Sequence, residues 1–161
     1  MSDYGRTLEF GVSVEPLADP PDWASRVARA ADTAGLDLVG IQDHPYQRRF
    51  LDTWTLISTL VPVTEDIRFF PDVANLPLRP PAMLAKAAAS LDVLSGGRVE
   101  LGLGARAFWD AVVGMGGHRR SPGEGHSRAS PWNTVWIRLS TGPPRTTSGR
   151  SRSSLERSCP P

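Results

Sequence analysis

The sequence predicts a parallel α/β fold made of repeating strand–helix units, and three observations carry that prediction. Four short runs of apolar or β-branched residues, Glu9 to Val14, Leu38 to Gln42, Ile67 to Val73 and Val99 to Leu103, start 29, 29 and 32 residues apart. That interval is the length of one strand, loop, helix and loop. The segments between the runs repeat their apolar residues at helical spacing. Strands buried on both faces and separated by helices form parallel sheets with right-handed crossovers. An open doubly wound sheet and a closed barrel both satisfy these rules, and periodicity does not choose between them.

The first helix is expected over Asp22 to Ala34, with Trp23, Val27, Ala30 and Ala34 as its stripe and Gly35 as its stop. The second is expected over Leu51 to Leu60, with Asp52 as cap and Pro62 just beyond its end. The third follows Pro80 and Pro81, carries the stripe Leu84, Ala87, Ala88, Leu91 and Leu94, and is closed by Gly96 and Gly97. A weaker fourth helix is expected from Ala107 to Met115, ending at Gly116 and Gly117.

The pattern then stops. Ser121, Pro122, Gly123 and Glu124 spell a capping box with proline at the first helical position, yet no apolar stripe or alternating strand of useful length follows. The last 44 residues hold thirteen Ser or Thr and six Pro, and Trp132, Val135, Trp136, Ile137 and Leu139 form one isolated apolar patch. Charge divides at the same place. Met1 to Gly117 carries 10 basic and 15 acidic residues, a net of −5, and His118 to Pro161 carries 8 basic and 2 acidic, a net of +6. Residues 125–161 are therefore expected to be a low-complexity, irregular basic tail. Two origins fit it, a natural extension and translation in a shifted reading frame beyond Gly125, and the helix start signal with no helix behind it favours the second. An amphipathic helix in another frame of the coding DNA would identify the shift.

Composition excludes several function classes. The net charge of +1 gives no reason to invoke nucleic acid or an acidic membrane as partner, and no stretch approaches the roughly 20 apolar residues of a membrane span. The start of the chain has no basic and then apolar run, so a soluble, cytoplasmic protein is expected. The single cysteine, Cys159, rules out an intrachain disulfide, and His44, His118 and His126 share no metal-ligand spacing.

In parallel α/β folds, reactive groups gather where strands end. Those positions hold Val14 and Glu15, then Asp43, His44, Pro45 and Tyr46, then Asn75 and Leu76, and finally Gly104, Ala105 and Arg106. In the pair Asp43 and His44, a carboxylate can hold an imidazole or accept a ligand hydroxyl, and the imidazole can exchange a proton near neutral pH. The same pair also suits a loop start that caps the next segment. Asn75 places an amide where it can bond a planar heterocycle, or equally a turn residue bonded to local backbone. Gly102, Gly104 and Ala107 resemble a dinucleotide-binding turn, but the acidic residue expected about 20 positions later falls in the tail. Arg119 and Arg120 read as a solvated pair, and Trp54, Phe69, Phe70, Phe108 and Trp109 as core or pocket lining.

The stretch VANLPLRPPAMLAKAAASLDVLSGGRVELGLGARAFWD, from Val73 to Asp110, resembles the luciferase-like monooxygenase superfamily. LDLVGIQDHPYQ and EFGVSV resemble that family's second and first strands. The resemblance implies a (β/α)8 TIM-type barrel present only in part, about four βα units over residues 1–124, since a complete barrel takes roughly 250 residues. It implies a flavin- or deazaflavin-dependent oxidoreductase, a monooxygenase or hydride-transfer enzyme acting on a small molecule, with FMN or F420 as cofactor. The DHP form after the second strand looks more like the deazaflavin branch. On this basis His44 matches the acid or base beside the reactive ring. Asp43, Val73, Asn75, Gly104 and Ala105 match the cofactor-facing positions, and Asp72 and Val73 fall at a bulge that often holds a non-proline cis peptide. Arg106 stands where family members usually carry Gly. The missing half-barrel implies low or no activity and open sheet edges through which copies could associate. An inert fragment or a self-associating half-barrel is the alternative.

Overall fold

The computed structural model describes residues 8–104 and 108–119, together with the backbone of 134–138. The elements run β1 (Gly11–Val14), α1 (Trp23–Thr33), β2 (Leu38–Ile41), α2 (Thr53–Leu60), β3 (Arg68–Pro71), β4 (Ala74–Asn75), α3 (Pro81–Leu94), β5 (Glu100–Gly104), α4 (Trp109–Gly114) and β6 (Thr134–Arg138).

Strands β1, β2 and β3 pair in parallel with their tips in register, Val14 opposite Ile41 and Ile41 opposite Pro71. A parallel bridge from Phe69 to Val99 brings β5 to the far side of β3. The parallel strands thus follow chain order without a reversal. A doubly wound sheet reverses its strand order at a switch point, so this order is the one found along the arc of a barrel, a choice that periodicity left undecided. Two small open sheets result, β1-β2-β3 and β4-β5-β6.

The outer face of the arc forms the main core. Val14, Val39, Ile41, Phe69 and Val99 from the strands meet Ala24, Ala28 and Ala31 of α1 and Leu56, Ile57 and Leu60 of α2. A second cluster joins Ala74 and Leu101 to Leu84 and Ala88 of α3, and Trp54 packs against both. Two polar braces sit among these elements. The Asp32 carboxylate accepts the backbone N–H groups of Glu65, Asp66 and Ile67 at 2.7, 3.1 and 2.9 Å. The buried Arg98 guanidinium donates to the Thr64 hydroxyl at 3.0 Å and the Val61 carbonyl at 2.8 Å.

Several expectations shift. In α1 the buried stripe is Ala24, Ala28 and Ala31, while Trp23, Ala30 and Ala34 face outward. Small side chains let the helix lie close to the sheet, and the indole does not fit there. In α3 only Leu84 and Ala88 of the expected stripe are buried, Ala87 is exposed and Leu94 is 80% exposed. That helix is apolar over more of its surface than one sheet can cover. The third strand does not run unbroken from Ile67 to Val73. It ends at Pro71, Asp72 donates its N–H to the Ile41 carbonyl at 2.7 Å, and Ala74–Asn75 then pairs with Leu103–Gly104 of β5. The chain has changed partner from β2 to β5, with a cis peptide between Asp72 and Val73 where the family resemblance placed one.

The tail is not irregular throughout. Thr134–Arg138 forms an antiparallel strand on β5, in register from Glu100↔Arg138 to Gly104↔Thr134. No sequence alternation marked it, because the template is the open edge of β5 and not a period within the segment. Ser121–Glu124 and the remainder of the tail lie outside the described residues. Among the described residues, no helix is long and apolar enough to cross a membrane, and no cluster of His, Cys, Asp or Glu could hold a metal ion.

Candidate cofactor-facing rim

Parallel register puts the loops after β2, β4 and β5 at one end of the arc. Asp43 follows β2 by two residues, and its side chain is 1% exposed. One carboxylate oxygen accepts the backbone N–H of Asn75 at 2.9 Å, so the tips of the second and third units are joined directly. Arg79, in the loop before α3, donates to both oxygens of the same carboxylate, at 3.0 Å from Nε and 2.9 Å from Nη2. The Nη2 group also reaches Asp52 at 2.9 Å. Asp52 in turn caps α2 by accepting the Thr55 N–H at 2.9 Å. One guanidinium thus ties a strand tip, a helix start and a loop together.

The charges respond accordingly. Burial opposes ionisation of Asp52, but the Thr55 N–H, the Arg79 guanidinium and the Thr55 hydroxyl outweigh it and hold the carboxyl below the usual range. Burial also works against the Arg79 charge, and the two carboxylates overcome it, so the guanidinium is held protonated more firmly than usual.

Asn75 is 5% exposed, and its side-chain oxygen Oδ1 has no hydrogen-bond partner. A buried carbonyl oxygen without a donor is uncommon because desolvation is not offset. Its place at the rim therefore suits a ligand that brings an N–H group.

His44 is half-buried, with Nδ1 2.7 Å from the Tyr46 hydroxyl. The rings of Tyr46, Phe50 and Phe108 surround it at 5.5, 6.5 and 6.3 Å between centroids. Phe108, before α4, is 69% exposed and lies edge-on to Tyr46. Across the strands, the Ser13 hydroxyl donates to Asp72 at 3.1 Å.

Of the residues singled out in the sequence, Asp43 and Asn75 are brought into direct contact. Val73 lies against Gly104, so closely that a Cβ at 104 would enter the space of Val73 Cγ2. Ala105 and Arg106 lie outside the described residues. Arg119, read as solvated, is exposed and 4.0 Å from exposed Asp110. Arg79 escaped notice in the sequence. Its only signal was a basic residue between the third strand and the third helix, on the loop that faces Asp43.

A family model described as luciferase-like monooxygenase matches residues 4–159. An uncharacterized protein of Mycobacterium tuberculosis is 36% identical over 99 residues, covering 48% of this chain and 34% of that protein. The chain thus spans about a third of the length of the curated relatives it matches. Among solved structures, the oxygenating constituent of 3,6-diketocamphane monooxygenase from Pseudomonas putida, in complex with FMN, has a TM-score of 0.60 at 30% identity, covering 68% of this chain and 33% of that one. The coenzyme F420-dependent tetrahydromethanopterin reductase from Methanopyrus kandleri has a TM-score of 0.60 at 25% identity, covering 69% and 30%. A family match running almost the length of the chain makes it a member of the luciferase-like monooxygenase family.

Proposed function

We propose that the rim built by Asp43, His44 and Asn75 is one side of a site for FMN or the deazaflavin F420 in an oxidoreductase acting on a small molecule. The observation that carries this reading is the buried Asn75 oxygen with no donor, fixed beside the Asp43 carboxylate at the strand tips. The pyrimidine edge of a flavin or deazaflavin offers such an N–H. The neighbours' cofactors, FMN in one and F420 in the other, support the same chemistry. When bound, either group supplies hydride transfer.

The chain's own residues have separate tasks. Asn75 accepts a hydrogen bond from the ring edge, and Asp43, saturated by Arg79 and the Asn75 N–H, holds that strand tip in place. Val73 and Gly104 place backbone close to the ring plane. His44 exchanges a proton with the reacting centre, and Phe108 and Tyr46 exclude water from it.

The 161-residue chain alone has low or no activity in this reading, because the described residues border a cofactor on one side only. Titration with FMN and with F420, followed by fluorescence, tests it. Weak binding, lost in Asn75→Ala, is expected; no binding of either at millimolar concentration removes the cofactor assignment, and micromolar binding to a monomer removes the claim of an incomplete site.

A second reading, a non-enzymatic chain that is inert or self-associates, is favoured by one observation. Phe10, at the β1 end of the arc, is 63% exposed, and Met83 and Leu94 of α3 are exposed at the other. Light scattering behind a sizing column separates a discrete dimer from soluble aggregate.

A further inference from the structure

The hydroxyl of Tyr46 lies 2.7 Å from Nδ1 of His44. The hydroxyl has one proton of its own, and Nδ1 is the ring nitrogen within its reach, an acceptor when the imidazole carries its proton on Nε2. Burial, and after it the negative charge of Asp43, push the Tyr46 phenol above its ordinary range, so it keeps that proton at neutral pH. A neutral imidazole carries one ring N–H, and a nitrogen that accepts a hydrogen bond is not the one that carries it.

We propose that Tyr46 is a positioning residue for His44: its hydroxyl fixes the imidazole in the tautomer protonated on Nε2, so that Nε2–H is the group offered to the reacting centre. Phe108 stands edge-on to both rings, with centroids 6.3 Å from His44 and 5.9 Å from Tyr46, and opposes the ring flip that would turn Nδ1 away from the Tyr46 hydroxyl. The fourth loop thereby sets the protonation geometry of a residue on the second. That geometry also gives His44 a direction. Nε2–H can donate to a developing negative charge in the neutral state, whereas Nδ1 is occupied and takes no part. The role in catalysis rests on the cofactor reading above; the tautomer itself does not.

Long-range proton–nitrogen correlation spectra of the full 15N-labelled chain at neutral pH test the assignment, with His44→Gln identifying the His44 signals among those of His44, His118 and His126. Wild type is expected to show a protonated Nε2 and an unprotonated Nδ1 whose resonance carries a hydrogen-bond shift. Tyr46→Phe keeps the ring and its packing on Phe108, and is expected to abolish that shift while leaving distant amide signals in place. A proton on Nδ1 in wild type, or an Nδ1 signal unmoved by Tyr46→Phe, overturns the proposal. Should Tyr46→Phe fail to fold, the wild-type tautomer and the wild-type Nδ1 shift decide it. The measurement needs no cofactor: the expected tautomer together with no flavin or deazaflavin binding would remove the functional reading and leave the role of Tyr46 standing, and the reverse result would do the opposite.

Discussion

Asp43 shows how a charged group tolerates burial. Its side chain is almost completely enclosed, and two donors of Arg79 and the Asn75 N–H saturate the carboxylate. A bidentate fork of this kind fixes geometry as well as charge. Arg79→Met removes the guanidinium and leaves a buried carboxylate with one backbone donor, which is expected to destabilise the chain by about 3 kcal/mol. Urea unfolding measures it. Arg79→Lys restores only part of the loss, since an ammonium cannot bridge Asp43 and Asp52 in the same fork.

Asp32 makes a different statement at the same scale. Burial works against its ionisation, but three backbone N–H groups and the positive charge of Arg98 prevail and lower its pKa. A carboxyl in the unfolded chain titrates near 4. With the folded value below that, the contribution of Asp32 to stability is complete above about pH 4 and is lost as pH falls through the folded value. Melting temperature of the wild type should therefore drop as pH falls below about 4, and Asp32→Asn should flatten that dependence. An equal slope in both proteins would show that other carboxyls govern the acid limb.

Strand pairing depends on what is absent from β2. Gly40 sits opposite Ser13 on one side and Phe70 on the other. A Cβ there would lie 2.7 Å from the Phe70 ring and 3.1 Å from Asp72 Cβ. The missing side chain lets Phe70 lean over the sheet and lets Asp72 reach the Ser13 hydroxyl across it. Gly40→Ala is expected to cost about 1–3 kcal/mol through overpacking. It should also weaken the Ser13–Asp72 contact, visible as faster hydrogen exchange at the β1 and β3 tips.

Helices depend on what surrounds them. The cap of α2 lies within its own sequence, since Asp52 accepts from Thr55 three residues on. The face that α1 buries is instead chosen by the sheet, which admits Ala24, Ala28 and Ala31 and leaves Trp23 outside.

For the molecule as a whole, sheet edges decide behaviour. The β5 edge is covered by β6, while β1 pairs on one side only among the described residues, with exposed Leu8 and Phe10 just before it. Unpaired edges invite pairing with another chain. Proline at two adjacent positions of β6, Val135→Pro with Trp136→Pro, removes a ladder donor whichever parity carries the bonds. The variant is expected to elute as larger species than wild type on a sizing column at equal concentration. An unchanged elution profile would mean that β6 does not guard that edge.

The four apolar strand runs, the helices and the order in which they follow could be read from the chain, because each is encoded by neighbours within a few turns: apolar runs about thirty residues apart, Asp52 three residues before Thr55, prolines at the start of α3 and glycines at its end. The break of the third run into β3 and β4 could not be read there, nor could β6. The family likeness likewise rested on contiguous residues, and the rim positions Asp43, His44 and Asn75 followed from their places at strand ends. Tertiary structure alone decided that the sheet is a sequential arc without a reversal, that Arg79 is the partner of Asp43 from 36 positions away, that β6 takes the β5 edge, and that Tyr46 and Phe108 meet over His44. Each of these is a contact between segments distant in sequence, where pairing is set by the packing of whole elements and leaves no period or spacing behind.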